Sequence, residues 1–187
     1  PILFGSYGAI YWINTETEKL KKTVLDPVRV RSIDWAEKGI WIGTLAGLYY
    51  CDTLNGSIEQ YSHYALERRI EAIKSTESSV FFGTMGDGLV VKTADTIIQV
   101  TMLDGLSSNL VHNLSIENDS TIWVATNNGL NRVCIYADGI EVYVYNKKDG
   151  LKDNYICDVH VKNEQVWIGT RSGLFYMQKP PVQAVSS

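Results

Sequence analysis

A chain of 187 residues that is 45% hydrophobic, 11% aromatic and 20% charged can bury one or two ordinary cores and is not a disordered polymer. Its net charge of −4 and pI near 5.4 give no electrostatic footing for nucleic acid. No apolar run approaches the roughly 18 residues that cross a bilayer and nothing at the start reads as a signal peptide, so no membrane contact is expected within this segment.

In chain order, the first stretch is ILFGSYGAIY (2–11), read as a strand, a turn at Tyr7-Gly8 and a second strand. It starts on an apolar run directly after Pro1, which reads as a piece of a longer polypeptide. A strand-like run at 28–35 then leads into IWIGTLAGLYY (40–50), and one at 70–74 into VFFGTMGDGLVV (80–91). Runs at 111–116 and 155–161 precede IWVATNNGLNRV (122–133) and VWIGTRSGLFY (166–176). Aligned on Gly5, Gly43, Gly83, Ala125 and Gly169, the pattern recurs about every forty residues, the period of a repeat architecture.

Each hairpin turn ends in glycine (Gly47, Gly88, Gly129, Gly173), which tolerates the positive φ that tight hairpins need. More polar runs follow the hairpins at 57–64, 97–102 and 141–145. Four strands per repeat, with middle strands that hardly alternate, suit sheets covered on both faces. The expected fold is all-β: a β-propeller segment of four-stranded antiparallel blades, about five repeats, incomplete at both ends. The repeats fall near 2–26, 27–65, 66–103, 104–146 and 149–178, with 179–187 as an exit segment. Trp41, Phe81, Trp123 and Trp167 then fill the space between blades, and Gly43, Gly83 and Gly169 leave room for the facing blade.

The pattern D-G-L-x-x-N ahead of a W-(I/V)-(G/A)-T-x-x-G-L hairpin occurs almost whole at 104–109 and 149–154. It resembles the two-component regulator propeller repeat, although the first three copies lack the D-G-L-x-x-N lead-in. The resemblance implies a periplasmic or extracellular sensor region of a hybrid histidine kinase or related regulator, many of them from gut Bacteroidetes, detecting carbohydrate fragments. Effector domains would then lie beyond residue 187. Residues 179–184 are similar to the exit into the triple-tyrosine sandwich domain that follows such propellers.

Signatures of catalysis are sparse. His63, His112 and His160 have no metal-ligand spacing, and each reads as an ordinary strand or loop histidine. No nucleophile elbow, P-loop or dinucleotide fingerprint occurs, and neither a metal nor a cofactor is expected. Cys51, Cys134 and Cys157 read as buried reduced thiols, with a Cys134–Cys157 bridge requiring neighbouring strands.

Binding has better support. Connections between blades and the turns between second and third strands gather on one face of a propeller. They place Arg69, Asp87, Asn109, Asn127, Asn128, Asn154, Tyr155 and Arg171 there as candidates for a polar small molecule such as an oligosaccharide. Asn109 and Asn154 share one repeat position and equally suit holding the loop backbone. Arg69, Asp87, Asn127, Tyr155 and Arg171 differ between copies and are the specificity candidates. Two other readings stay open: a scaffold that binds protein or itself, as a homodimer or with other blades closing the ring, and a propeller hydrolase or lyase.

Overall fold

The computed structural model describes residues 2–13, 16–36, 39–52 and 57–180, so residues 181–187 of the expected exit segment lie outside it. The described residues form antiparallel sheets joined by short turns, with no α-helix among them. Strands β1 (Ile2–Ile13), β2 (Leu20–Ala36), β3 (Gly39–Thr44), β4 (Gly47–Asp52) and β5 (Ile58–Gln60) make one sheet in that order. The next contains β6 (Ile70–Ser75), β7 (Val80–Thr84), β8 (Leu89–Lys92) and β9 (Ile97–Val100). It is followed by β10 (Val111–Asn118), β11 (Thr121–Thr126), β12 (Gly129–Tyr136) and β13 (Gly139–Tyr145). A three-stranded sheet of β14 (Ile156–Lys162), β15 (Gln165–Thr170) and β16 (Gly173–Gln178) ends the series.

Successive sheets pack face to face. Trp41 of β3 joins Ile70, Ile73 and Phe82 of the following sheet in one buried cluster. Phe81 and Leu89 meet Val111, Leu114 and Ile122 in the next, and Trp123 meets Ile156, Val159 and Ile168 in the last. Burial on both faces explains why β3 and β11 are buried at every position and show no period-two alternation. Neighbouring innermost strands are also tied directly. Ile73 N–H donates to Ser32 Oγ at 3.0 Å, and Val161 N–H to Ser115 Oγ at 2.9 Å, across consecutive sheets. These are blades set side by side around an axis.

The glycine positions behave as the repeat implies. A Cβ on Gly43 would stand 2.8 Å from Ile70 Cγ2, and one on Gly83 2.6 Å from Val111 Cγ1, each on the first residue of the next inner strand. Gly5 abuts Val30 in the same way. Ala125 clusters with Ile156 instead, so its methyl is accommodated. Gly83→Ala is therefore expected to cost about 1–3 kcal/mol, because Val111 is fully buried and cannot retreat. Urea denaturation would show this as a lowered midpoint at unchanged slope. An unchanged midpoint would mean the blades are not in tight contact there.

The threonine after each glycine or alanine has a role that sequence reading left unassigned. Oγ1 of Thr44, Thr84, Thr126 and Thr170 donates to the carbonyl of Gly47, Gly88, Gly129 and Gly173 at 2.8–3.0 Å. The same oxygen accepts a turn N–H from Ala46, Asp87, Asn128 and Ser172. One hydroxyl thus closes each hairpin from both sides.

The first two repeats differ from expectation. No hairpin forms at Tyr7-Gly8: β1 runs through it, with Gly8 at φ 69°, and pairs with β2 alone. Nor is there a break near residue 26. The pairing jumps from Ala9↔Val24 to Tyr7↔Arg29, so one bulged strand serves as outer strand of the first repeat and inner strand of the second. Pro27, lacking an N–H, falls within that jump, where no ladder bond is lost.

The last sheet has no covering neighbour among the described residues. Accordingly β15 shows an interrupted burial pattern and β16 is exposed or half-exposed throughout. Trp167, expected as filler between blades, is 36% exposed, whereas Trp41 is 7% and Trp123 0% exposed. The Cβ position of Gly169 meets only Asp158 of its own sheet. All three cysteines are free; Cys51 and Cys134 are buried as expected, but Cys157 is exposed.

Candidate functional site

The D-G-L-x-x-N stretches build the loops between blades. Thr101 caps a 3₁₀ turn (Met102–Asp104), and Asp104 Oδ2 returns a bond to the Thr101 N–H at 2.8 Å. Gly105 ends the turn at φ 103°, a left-handed position that a side chain would strain. Leu106 then buries itself in the cluster between blades. Asn109 Oδ1 accepts the Met102 N–H at 2.8 Å. One repeat later Asn146, Asp149 and Gly150 reproduce the arrangement, and Asn154 Oδ1 accepts the Lys147 N–H at 2.9 Å. Both asparagines are engaged in holding backbone. In the third copy, which lacks this lead-in, His63 Nδ1 caps Tyr64–Leu66 and Leu66 supplies the buried leucine.

The other candidates separate into two groups. Asn128 Nδ2 donates to the Ser107 carbonyl at 3.2 Å and so steadies a loop. Asp87 Oδ2 lies 3.4 Å from Arg68 Nε, an ion pair without hydrogen-bond alignment. Asn127 keeps a buried Oδ1 with no hydrogen-bond partner. Arg69, Tyr155 and Arg171 belong to a different assembly, centred on the inner strands.

Each inner strand carries a β-bulge at one register. Pairing jumps between Val30 and Ser32, Ile70 and Ala72, Val111 and Asn113, and Ile156 and Asp158. The skipped residues are Arg31, Glu71, His112 and Cys157. The apolar residue before each bulge packs against the preceding blade, which frees the bulged residue from the ladder and re-aims its side chain. Sequence reading passed over Arg31 and Glu71 and took His112 for an ordinary strand histidine. The available signal was the alignment of inner strands: an apolar residue, then a position whose chemistry changes in every copy.

Repeated at one register, these positions form a belt across four blades, and its members are linked in two groups. Arg31 forms a hydrogen-bonded ion pair with Glu71, whose Oε2 also accepts from Arg69 Nε at 2.6 Å. Burial opposes the charged form of Glu71, but the hydrogen bonds from Arg31 and Arg69 outweigh it and hold its pKa below the usual carboxylate value. The His112 ring lies 4.8 Å from that of Tyr155, and the Arg171 guanidinium sits 3.5 Å from the Tyr155 ring centre. Burial pushes the His112 pKa down, Glu71 raises it, and Arg69 and Arg171 lower it further. These effects together favour the neutral imidazole, and its Nε2 is buried without a hydrogen-bond partner. Beyond the belt, Lys74, Asn113, Asp158 and His160 line a cavity of about 440 Å³ bordered by β6, β10 and β14. No group of His, Cys, Asp and Glu able to hold a metal occurs among the described residues.

Solved structures with the same arrangement of strands settle the fold class. The chain is a segment of a β-propeller. It superposes on the extracellular domain of the proposed hybrid two-component system BT3049 of B. thetaiotaomicron with a TM-score of 0.73 and 23% identity. That match covers 94% of this chain and 27% of the other. The extracellular domain of BT4673, from the same organism, matches at TM-score 0.70 and 20% identity, over 93% of this chain and 25% of the other. Virginiamycin B lyase of Staphylococcus aureus matches at TM-score 0.67 and 13% identity, over 94% of this chain and 64% of the enzyme. The chain therefore spans about a quarter of the length of the two-component domains it matches. No family model and no curated protein matches the sequence.

Proposed function

We propose that this segment is a non-catalytic, ligand-sensing part of a two-component sensor or regulator, exposed to the periplasm or cell exterior, and that the inner-strand belt recognises a polar small molecule such as an oligosaccharide. The carrying observation is the bulge. At a position that the fold repeats, four consecutive blades present guanidinium, carboxylate, imidazole and thiol, with Arg69, Tyr155 and Arg171 beside them. A purely structural position would repeat one residue type, as the glycines and threonines do. The extracellular domains among the solved neighbours, and the resemblance of the repeat itself, support the sensor reading. A ligand bridging several blades shifts a signalling equilibrium only by its differential affinity for the two states.

A thermal-shift screen of oligosaccharides tests this. A ligand at about a hundred times its Kd stabilises by about 2.7 kcal/mol, which for a domain of this size raises Tm by roughly 5–10 °C. The shift is expected to vanish in Tyr155→Ala and to persist in Glu164→Ala, whose side chain lies in a turn at the far end of the strands and pairs with Lys179 at 3.3 Å. A shift that survives Tyr155→Ala would move the site elsewhere, and no shift with any polar ligand would remove the reading.

A second reading, association with a further copy or with other blades, has its own support. Trp167, Leu174 and Tyr176 are exposed on the final sheet. Concentration-dependent sedimentation would favour self-association, and a monomer at all concentrations would exclude it.

A further inference from the structure

Charge in the belt is unbalanced. The belt carries three guanidinium groups, Arg31, Arg69 and Arg171, and one carboxylate, Glu71, which Arg31 and Arg69 already share. Of the loop acids beside it, Asp87 is paired with Arg68 and Asp153 accepts the Tyr155 N–H at 3.1 Å. Yet the chain as a whole carries a net charge of −4, so this local excess of positive charge does not simply follow the overall balance.

Arg171 is the informative member. It occupies the two-residue turn between β15 and β16, with Thr170 paired to Gly173 on either side. No hydrogen bond or ion pair to its side chain is present among the described residues; its one described contact is the Tyr155 ring, 3.5 Å away. Stacking of this kind holds a guanidinium in place while leaving its in-plane N–H groups free. Close by, Nε2 of His112 is buried with no partner, beside the same tyrosine. An unoccupied guanidinium fork and an unpaired imidazole nitrogen stand beside one ring.

We infer that the belt binds an oxyanion carried by its ligand, a carboxylate or a sulfate ester, with Arg171 as the principal donor. This rests on the reading of the belt as a polar-ligand site and specifies the ligand's chemistry. A guanidinium fork matches a carboxylate or sulfate with two parallel N–H···O bonds, which a hydroxyl cannot accept in that form. Surplus positive charge repels cations and gains nothing extra from neutral ligands, so it discriminates among solutes of otherwise equal shape. Arg31 and Arg69 add to the field while Glu71 keeps them in place.

The test is calorimetric titration of the chain with glucose, glucuronate, glucose 6-sulfate and inorganic sulfate, at low and at raised salt. Glucuronate or glucose 6-sulfate is expected to bind roughly tenfold or more tightly than glucose, the ratio expected of one charge-assisted pair. That advantage should shrink as salt is added. Arg171→Gln should abolish it, and Arg171→Lys should keep part of it by retaining charge without the fork. Both substitutions fall in an exposed turn, and unchanged melting without ligand would verify that the variants are folded. The better charged sugar identifies which oxyanion is preferred. Inorganic sulfate binding as tightly as either charged sugar supports the oxyanion site but contradicts a saccharide ligand. Equal affinity for glucose and its charged counterparts, or full affinity in Arg171→Gln, overturns the oxyanion claim and leaves a neutral polar site. Absence of binding by all four overturns the belt as a binding site altogether.

Discussion

Glu117→Ala is expected to destabilise the protein by about 3–5 kcal/mol, the range for removing one partner of a buried ion pair. Glu117 and Arg132 are 4% and 3% exposed at their side chains. The carboxylate accepts Arg132 Nη2 at 2.5 Å and Nε at 2.9 Å, and Trp123 Nε1 donates to it at 2.8 Å. Lys179 stands 3.7 Å away. Without the carboxylate, the guanidinium keeps only the Pro180 carbonyl at 3.1 Å and the Trp123 ring at 5.7 Å, and the indole N–H is orphaned. Burial opposes the charged form of Arg132, and the hydrogen bonds to Glu117 outweigh it. Once Glu117 is gone, only the guanidinium's own high basicity keeps the charge, which is then buried without its counter-ion. Urea unfolding measures the loss. A change under about 1 kcal/mol would mean that water reaches the pair.

The paired substitutions Trp123→Ala and Trp167→Ala should differ sharply although the two residues occupy one repeat position. Trp123 is fully buried between the last two sheets, stacks on Tyr145 at 5.5 Å and caps Glu117 through its Nε1. Its removal should cost about 3–5 kcal/mol, the usual figure for emptying such a site in a core. Trp167 is 36% exposed and rests mainly on Tyr176, 5.2 Å away. Its loss should cost about 1 kcal/mol or less, as for side chains that leave no enclosed cavity. Equal costs would require Trp167 to be covered in solution, which is what further blades or a second copy would do. The comparison thus reports on the open face as well as on the core.

Much of the blade architecture was legible in the repeat because its signals are local and repeated. Gly43 and Gly83 mark close approach, Trp41 and Trp123 mark filled space, and Gly47 and Gly129 mark turns, with φ of 112° and 142°. The first repeat was less legible. Whether a chain turns back at Tyr7-Gly8 depends on which strand it can pair with, and β2 took both partners. Trp167 misled for a related reason: its sequence environment copies that of Trp123, but burial is decided by the neighbouring sheet.

Of the loop candidates, Arg69, Tyr155 and Arg171 lie beside the inner-strand belt, while Asn109 and Asn154 hold backbone. The inner-strand members escaped notice because a bulge is a property of pairing, not of composition. Arg31 and Glu71 read as ordinary charged residues in strands until the register shows them displaced from the ladder.

Displacement from the ladder also bears on how such a protein diversifies. Val30, Ile70, Val111 and Ile156 lock each blade to its predecessor by packing, whereas the very next residue reaches its neighbours through its polar or aromatic group, as Arg31 does with Glu71 and His112 with Tyr155. Exchanging residues among those four slots therefore leaves the apolar packing between blades in place, while a change at Arg31 or Glu71 also removes an ion pair between two of them. Surface chemistry can thus vary one residue at a time upon a scaffold whose apolar joints stay the same.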